Sequence, residues 1–158
     1  MARVWDVTAV VYLAVLGWAA LALPARRVAL YVTPAGDIIT TATRTEFLLV
    51  NALIAAVALI VLPMAVRAST RPPLTWDSLP HREHWLAPER EATTRAHIGG
   101  ALWALLAGTN LLLAATVADL ILITLSGRAL FGTWPVFVYL AGAAGGAALL
   151  WRHYSRPG

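Results

Sequence analysis

Apart from Asp119 and the end residues Glu46 and Arg67, charged residues withdraw from four stretches of this chain, at residues 7–23, 46–67, 98–126 and 130–151. A helix rises about 1.5 Å per residue, so about twenty apolar residues cross the roughly 30 Å hydrocarbon layer of a bilayer. Each run is close to that length or longer. The pattern therefore predicts four transmembrane α-helices, an all-α membrane protein, joined by an outward loop at 24–45, a long loop at 68–97 and a short turn around Ser126, Gly127 and Arg128.

Each run carries its own end signals. Trp5 and Trp18 suit the interfaces of the first, and Arg3 ahead of an apolar run also fits a signal peptide. The run exceeds a usual signal core, and Leu23-Pro24-Ala25 is a poor cleavage site, so a retained span is expected. Thr43 and Glu46 stand three apart before the second run, as in a capping box, and Pro63 near its end predicts a tolerated kink. Pro88, Glu89 and Glu91 suit the first turn of a helix that begins well before residue 98. An unbroken helix from there to Ser126 would be about 58 Å long, which implies either an extension beyond the bilayer or a break at Gly99-Gly100. Trp134, Trp151 and Tyr154 bracket the fourth run, which forms an antiparallel hairpin with the third.

Composition sharpens this picture. The chain is 59% hydrophobic and 13% charged, against about 25% charged in soluble domains. The apolar residues are expected to meet lipid, in a single membrane domain spanning residues 1–158. With no cysteine, thiolate chemistry, disulfides and cysteine metal sites are excluded. The formal charge of +4 comes from arginines outside the apolar runs, which fits a membrane orientation signal better than nucleic acid. Arg3, Arg67, Arg71, Arg82, Arg90, Arg95, Arg152 and Arg156 fall on one side, and Arg26, Arg27, Arg44 and Arg128 on the other. Eight against four predicts cytoplasmic termini and a cytoplasmic 68–97 loop. All twelve basic residues are arginine, as in a GC-rich bacterial genome.

Candidate chemistry is sparse. Asp119 lies deep in the third run, where an acidic group costs about 2.5 to 3.5 kcal/mol. Counted inward from the outer ends, Asn51 shares its depth and can bond it across the bundle; the alternatives are a proton or cation site helped by Thr116 and Asn51, a buried polar clasp, or a side chain reaching the outer interface near Arg44 or Arg128. Asn110 lies nine residues from Asp119, on the opposite face, and suits an interhelical bond. Gly142 and Gly146 form a small-xxx-small pair, read first as packing within the chain and second as the seam of a homo-oligomer. His81, His84 and His97 invite a metal, but His81-Arg82-Glu83-His84 is not the HExxH pattern, and no metal or cofactor is expected. Serine and threonine nucleophiles lack a partnering constellation, so an enzyme is not expected. Pro72, Pro73 and Pro80 should keep the long loop extended, while Trp76 and Trp85 dip into the interface.

The string Leu79-Pro80-His81-Arg82-Glu83-His84-Trp85-Leu86-Ala87-Pro88-Glu89-Arg90 resembles a motif of bacterial membrane proteins related to the SdpI immunity and signalling family. Relatives read much like Leu-Pro-Asn-basic-X-Tyr-Trp-Leu-Ala-Pro-Glu-Arg, so His81 and His84 replace the usual Asn and Tyr. The outward loop is similar at Leu23-Pro24, Val28-Ala29, Gly36 and Thr43-Arg44-Thr45-Glu46-Phe47, but has Tyr31-Val32 where the family has His-Phe. The likeness covers roughly residues 10 to 125. It implies a multi-spanning, non-catalytic component of a bacterial inner (cytoplasmic) membrane in immunity, signalling or protein binding, with His81, His84, Trp85, Pro88, Glu89 and Arg90 as a candidate cytoplasmic interaction motif. The alternatives are a transport or proton-coupled role through Asp119 and Asn51, and a membrane enzyme using the loop histidines.

Overall fold

The computed structural model describes residues 2–33, 38–71, 76 and 79–156. Gly36, Pro72 and Pro73 lie outside them, as do the side chains of Tyr31 and Val32. Four helices are long and apolar enough to cross a membrane: α1 (Ala2–Ala22), α2 (Arg44–Ser69), α4 (Pro88–Ser126) and α5 (Trp134–Tyr154). The protein is an all-α membrane protein of four helices. An even number of crossings returns the chain to its starting face, so both termini share one face. On that face a single turn, α3 (Arg82–Trp85), precedes α4.

The helix ends follow local chemistry. Thr43 caps α2: its hydroxyl accepts from the Glu46 amide at 3.2 Å, while the Glu46 carboxylate accepts from the Thr43 amide at 2.8 Å. Two otherwise orphaned donors are thereby satisfied. Pro63 offers no N–H, and its ring crowds the carbonyl of Leu59. The helix responds by widening into a π turn over Val57–Val61, with the Leu62 amide reaching back to the Val57 carbonyl. The kink expected at Pro63 is thus a wide turn ahead of the proline.

α1 starts at Ala2, five residues ahead of the expected span. Of the two alternatives for the third helix the structure has the extension: α4 runs unbroken from Pro88 through Gly99 and Gly100, and its first turns project beyond a 30 Å layer. α5 starts at Trp134 rather than 130, and residues 127–133 make the connection, entered through Gly127 at φ 70°. A left-handed C-cap favours glycine there.

An element the hydrophobic pattern did not show lies in the outward loop. β1 (Val28–Val32) and β2 (Ile38–Ala42) pair antiparallel, with Val28 opposite Ala42 and Val32 opposite Ile38 and irregular register between. Val28 and Ala29 are fully buried, and the Ala29 amide donates to the Thr124 hydroxyl of α4 at 2.9 Å. This pins the hairpin on the bundle. α4 is the central element, packed along α1 and touching α2, β1 and α5. Tyr12, Ala19, Leu23, Val28, Phe47, Ala55, Ala114, Val117 and Ile121 form the core between them.

Candidate functional site

The motif at residues 81–90 is held against the far end of the chain. His81 takes a left-handed conformation at φ 50°, which turns the backbone into α3. Pro88 starts α4 where its missing N–H costs nothing. Between them Trp85 is fixed twice: its carbonyl accepts from the Thr94 hydroxyl at 3.0 Å, and its indole Nε1 donates to the Tyr154 carbonyl at 3.0 Å. Helix ends leave such carbonyls without partners, so the indole satisfies one of them.

Around this latch the aromatic rings form a cluster. Trp85 meets Tyr154 and His84 edge to face at 5.1 and 4.7 Å between centroids, and the His153 ring at a tilt at 5.1 Å. His97, one helical layer deeper on α4, lies 3.1 Å through Nδ1 from the Tyr154 hydroxyl and 5.1 Å from the His153 ring. Edge-to-face pairs are worth about 0.5 to 1.5 kcal/mol each beyond their buried area. The cluster therefore ties α3, α4 and α5 together through side chains.

Charge is arranged on its rim. Arg90 Nη1 lies 2.7 Å from His84 Nδ1 and 2.6 Å from its Nε2, so a guanidinium charge sits directly against the ring and opposes its protonation. Desolvation of the ring, with the charges of Arg90 and His81 added, holds His84 below its ordinary value. His81, Arg82, Glu83, Glu89 and Arg90 stand exposed around it.

The three histidines singled out for a metal are used differently. His84 meets Arg90, His97 meets Tyr154, and among the described residues no set of three His, Asp or Glu side chains converges on a point. Tyr154 was visible in the sequence as an interfacial aromatic; His153 and Thr94 carried no signal.

The intramembrane polar residues also separate. The expected bond between Asp119 and Asn51 is not formed. Asp119 Oδ1 accepts from the amides of Leu130 and Phe131 at 2.7 and 2.9 Å, and Oδ2 accepts from Gly132 at 2.6 Å. Asn51 instead donates to the Phe47 carbonyl one turn back in its own helix, at 2.9 Å. The physical reason is supply: the connection at 127–133 presents several backbone donors to one carboxylate, more than a single side-chain amide offers. Asn110 faces the other way and donates to the Thr8 hydroxyl of α1 at 3.4 Å. Its Oδ1, the Tyr12 hydroxyl and Trp5 Nε1 are buried without partners among the described residues.

Gly142 and Gly146 do not pack within the chain as first expected. Among the described residues, a Cβ built at either, or at Gly145, meets no atom within 4 Å. The small-residue approach is made by Gly108 of α4 instead, whose Cβ would lie 3.4 Å from the Tyr139 ring of α5. No family model, curated protein or solved structure matches this chain.

Proposed function

We propose that this chain is a non-catalytic component of a bacterial cytoplasmic membrane that recognises a protein partner through residues 81–90, in an immunity or signalling role as the SdpI-like motif implies. The observation that carries the reading is the Trp85 latch. It fixes a short, charged and exposed segment in one conformation between two helix ends. A surface ordered before binding loses less entropy on association. The arginine balance favours the cytoplasm for this face.

The engagement of Asp119 by three backbone amides supports a structural clasp over a proton or cation site. The pairing of His84 with Arg90 and of His97 with Tyr154 likewise gives no support to catalysis by the loop histidines. The test is photo-cross-linking from position 83 in native membranes. Glu89→Ala with Arg90→Ala, both exposed positions, should abolish the adduct at unchanged protein level. An undiminished adduct from the folded double variant refutes the reading.

Self-association through α5 is the second reading, favoured by the bare face at Gly142, Gly145 and Gly146. Any backbone that uses this close approach comes from outside the chain, and a second copy is the proposed occupant. The chain has no native cysteine, so Gly142→Cys should give a covalent dimer on mild oxidation in the membrane. Monomer alone refutes it.

A further inference from the structure

We propose that the end of α5 binds the phosphate of an anionic phospholipid between Arg152 and Arg156. Leu149, Arg152 and His153 of the last turns of α5, with Arg156 just past its cap, line an open concavity of about 350 Å³. Their order along the helix axis matches that of a lipid. Leu149, exposed and one turn deeper, meets the acyl region, and the two guanidinium groups lie at the rim. Exposed Trp151 beside them places this level at the membrane interface, where indole rings settle.

The electrostatics select an anion. Among the described residues neither arginine has an ion-pair partner, and no acidic residue occurs from Trp134 to the end of the chain. The carbonyls at a helix C-terminus bear partial negative charge and oppose an anion placed on the axis. Two guanidinium groups on the flank reach past that field, and each presents a planar fork that matches phosphate oxygens. His153 adds one ring N–H in either neutral tautomer. A zwitterionic headgroup would bring an ammonium against this cationic rim, so an anionic phosphodiester is the better fit. The site requires only that α5 crosses a bilayer and is independent of any protein partner at residues 81–90.

Native mass spectrometry of the full chain, exchanged into equal phosphatidylglycerol and phosphatidylcholine, tests this directly. Wild type should retain phosphatidylglycerol selectively. Arg152→Gln and Arg156→Gln should each weaken retention about fivefold, and together about 25-fold. Arg128→Gln on the opposite face should leave it unchanged. Inorganic phosphate at tens of millimolar should fail to displace the lipid; full displacement would make this a free-phosphate site and overturn the lipid assignment. Equal retention of the two lipids by wild type, which needs no variant to fold, overturns it as well, and so does undiminished retention by the double variant.

Discussion

Asp119 holds a buried carboxylate in an apolar helix, and the amides of Leu130, Phe131 and Gly132 are what make that tolerable. Charge-assisted bonds of this kind offset the insertion cost and fix the connection between α4 and α5. Asp119→Asn keeps the shape but turns one acceptor into a donor facing another donor. The expected loss is about 1 to 3 kcal/mol, read as a lower unfolding midpoint in detergent with unchanged helix content; an unaltered midpoint would show that the clasp contributes no stability. Sequence reasoning found the buried carboxylate and missed its partners for a definite reason. Backbone amides have no letter in a sequence, so the polar letter at equal depth, Asn51, is the partner the sequence suggests. At the other face, His84 titrates below its ordinary value near 6.5 because its ring is desolvated beside Arg90 and His81. The unfolded chain therefore takes up the proton first as pH falls through about 6.5, and the His84 contribution to stability shrinks from there down to the lowered folded value. Emission from neighbouring Trp85 in the folded protein should change as pH falls through that lowered folded value, below 6.5, and the change should be reduced in His84→Gln.

The helices were legible because their cause is local: long apolar runs, a Thr43–Glu46 capping box and Pro88 at a first turn each fix geometry within a few residues. The Gly99-Gly100 pair illustrates the opposite limit. Glycine weakens an exposed helix by about 1 kcal/mol each, yet α4 passes through, with Ile98 and Gly99 buried and a Cβ at Gly99 only 3.6 Å from the Thr70 side chain just past α2. The β-hairpin was missed although Val28, Val32, Ile38 and Ile39 are β-favouring residues flanking Pro34 and Gly36. Its burial on α4 depends on Thr124, 95 residues from Ala29, and no window along the chain contains both. The Trp85 latch spans 69 residues and was hidden in the same way. Between α4 and α5, the sharpest packing constraint is Gly108, beside the Thr109–Tyr139 hydroxyl pair at 2.9 Å. Gly108→Val should overpack this contact and cost about 1 to 3 kcal/mol. Gly108→Ala should cost less, since its Cβ needs only tenths of an ångström from the Tyr139 ring. Equal stability of both variants in a denaturant series would show that the ring yields freely.

Across the whole molecule the two faces differ in what they build. One carries the hairpin and the 127–133 connection held by Asp119; the other carries both chain ends, α3 and the ring cluster. The arginine count favours the second as cytoplasmic by eight to four. Of the four opposing arginines, Arg44 places its guanidinium 3.4 Å from the Leu23 carbonyl, a structural use at the start of α2. Because the chain lacks cysteine, single introduced thiols report each face without background. Thr40 on β2 and Glu83 on α3 are exposed, so substitution there should leave the fold intact. Thr40→Cys should react with a membrane-impermeant maleimide in intact cells, and Glu83→Cys only after permeabilisation. The reverse pattern would invert the orientation and place the 81–90 surface outside, where a cytoplasmic partner has no access. Labelling of both positions from outside would contradict an even number of crossings, since residues 40 and 83 are separated by a single span, α2.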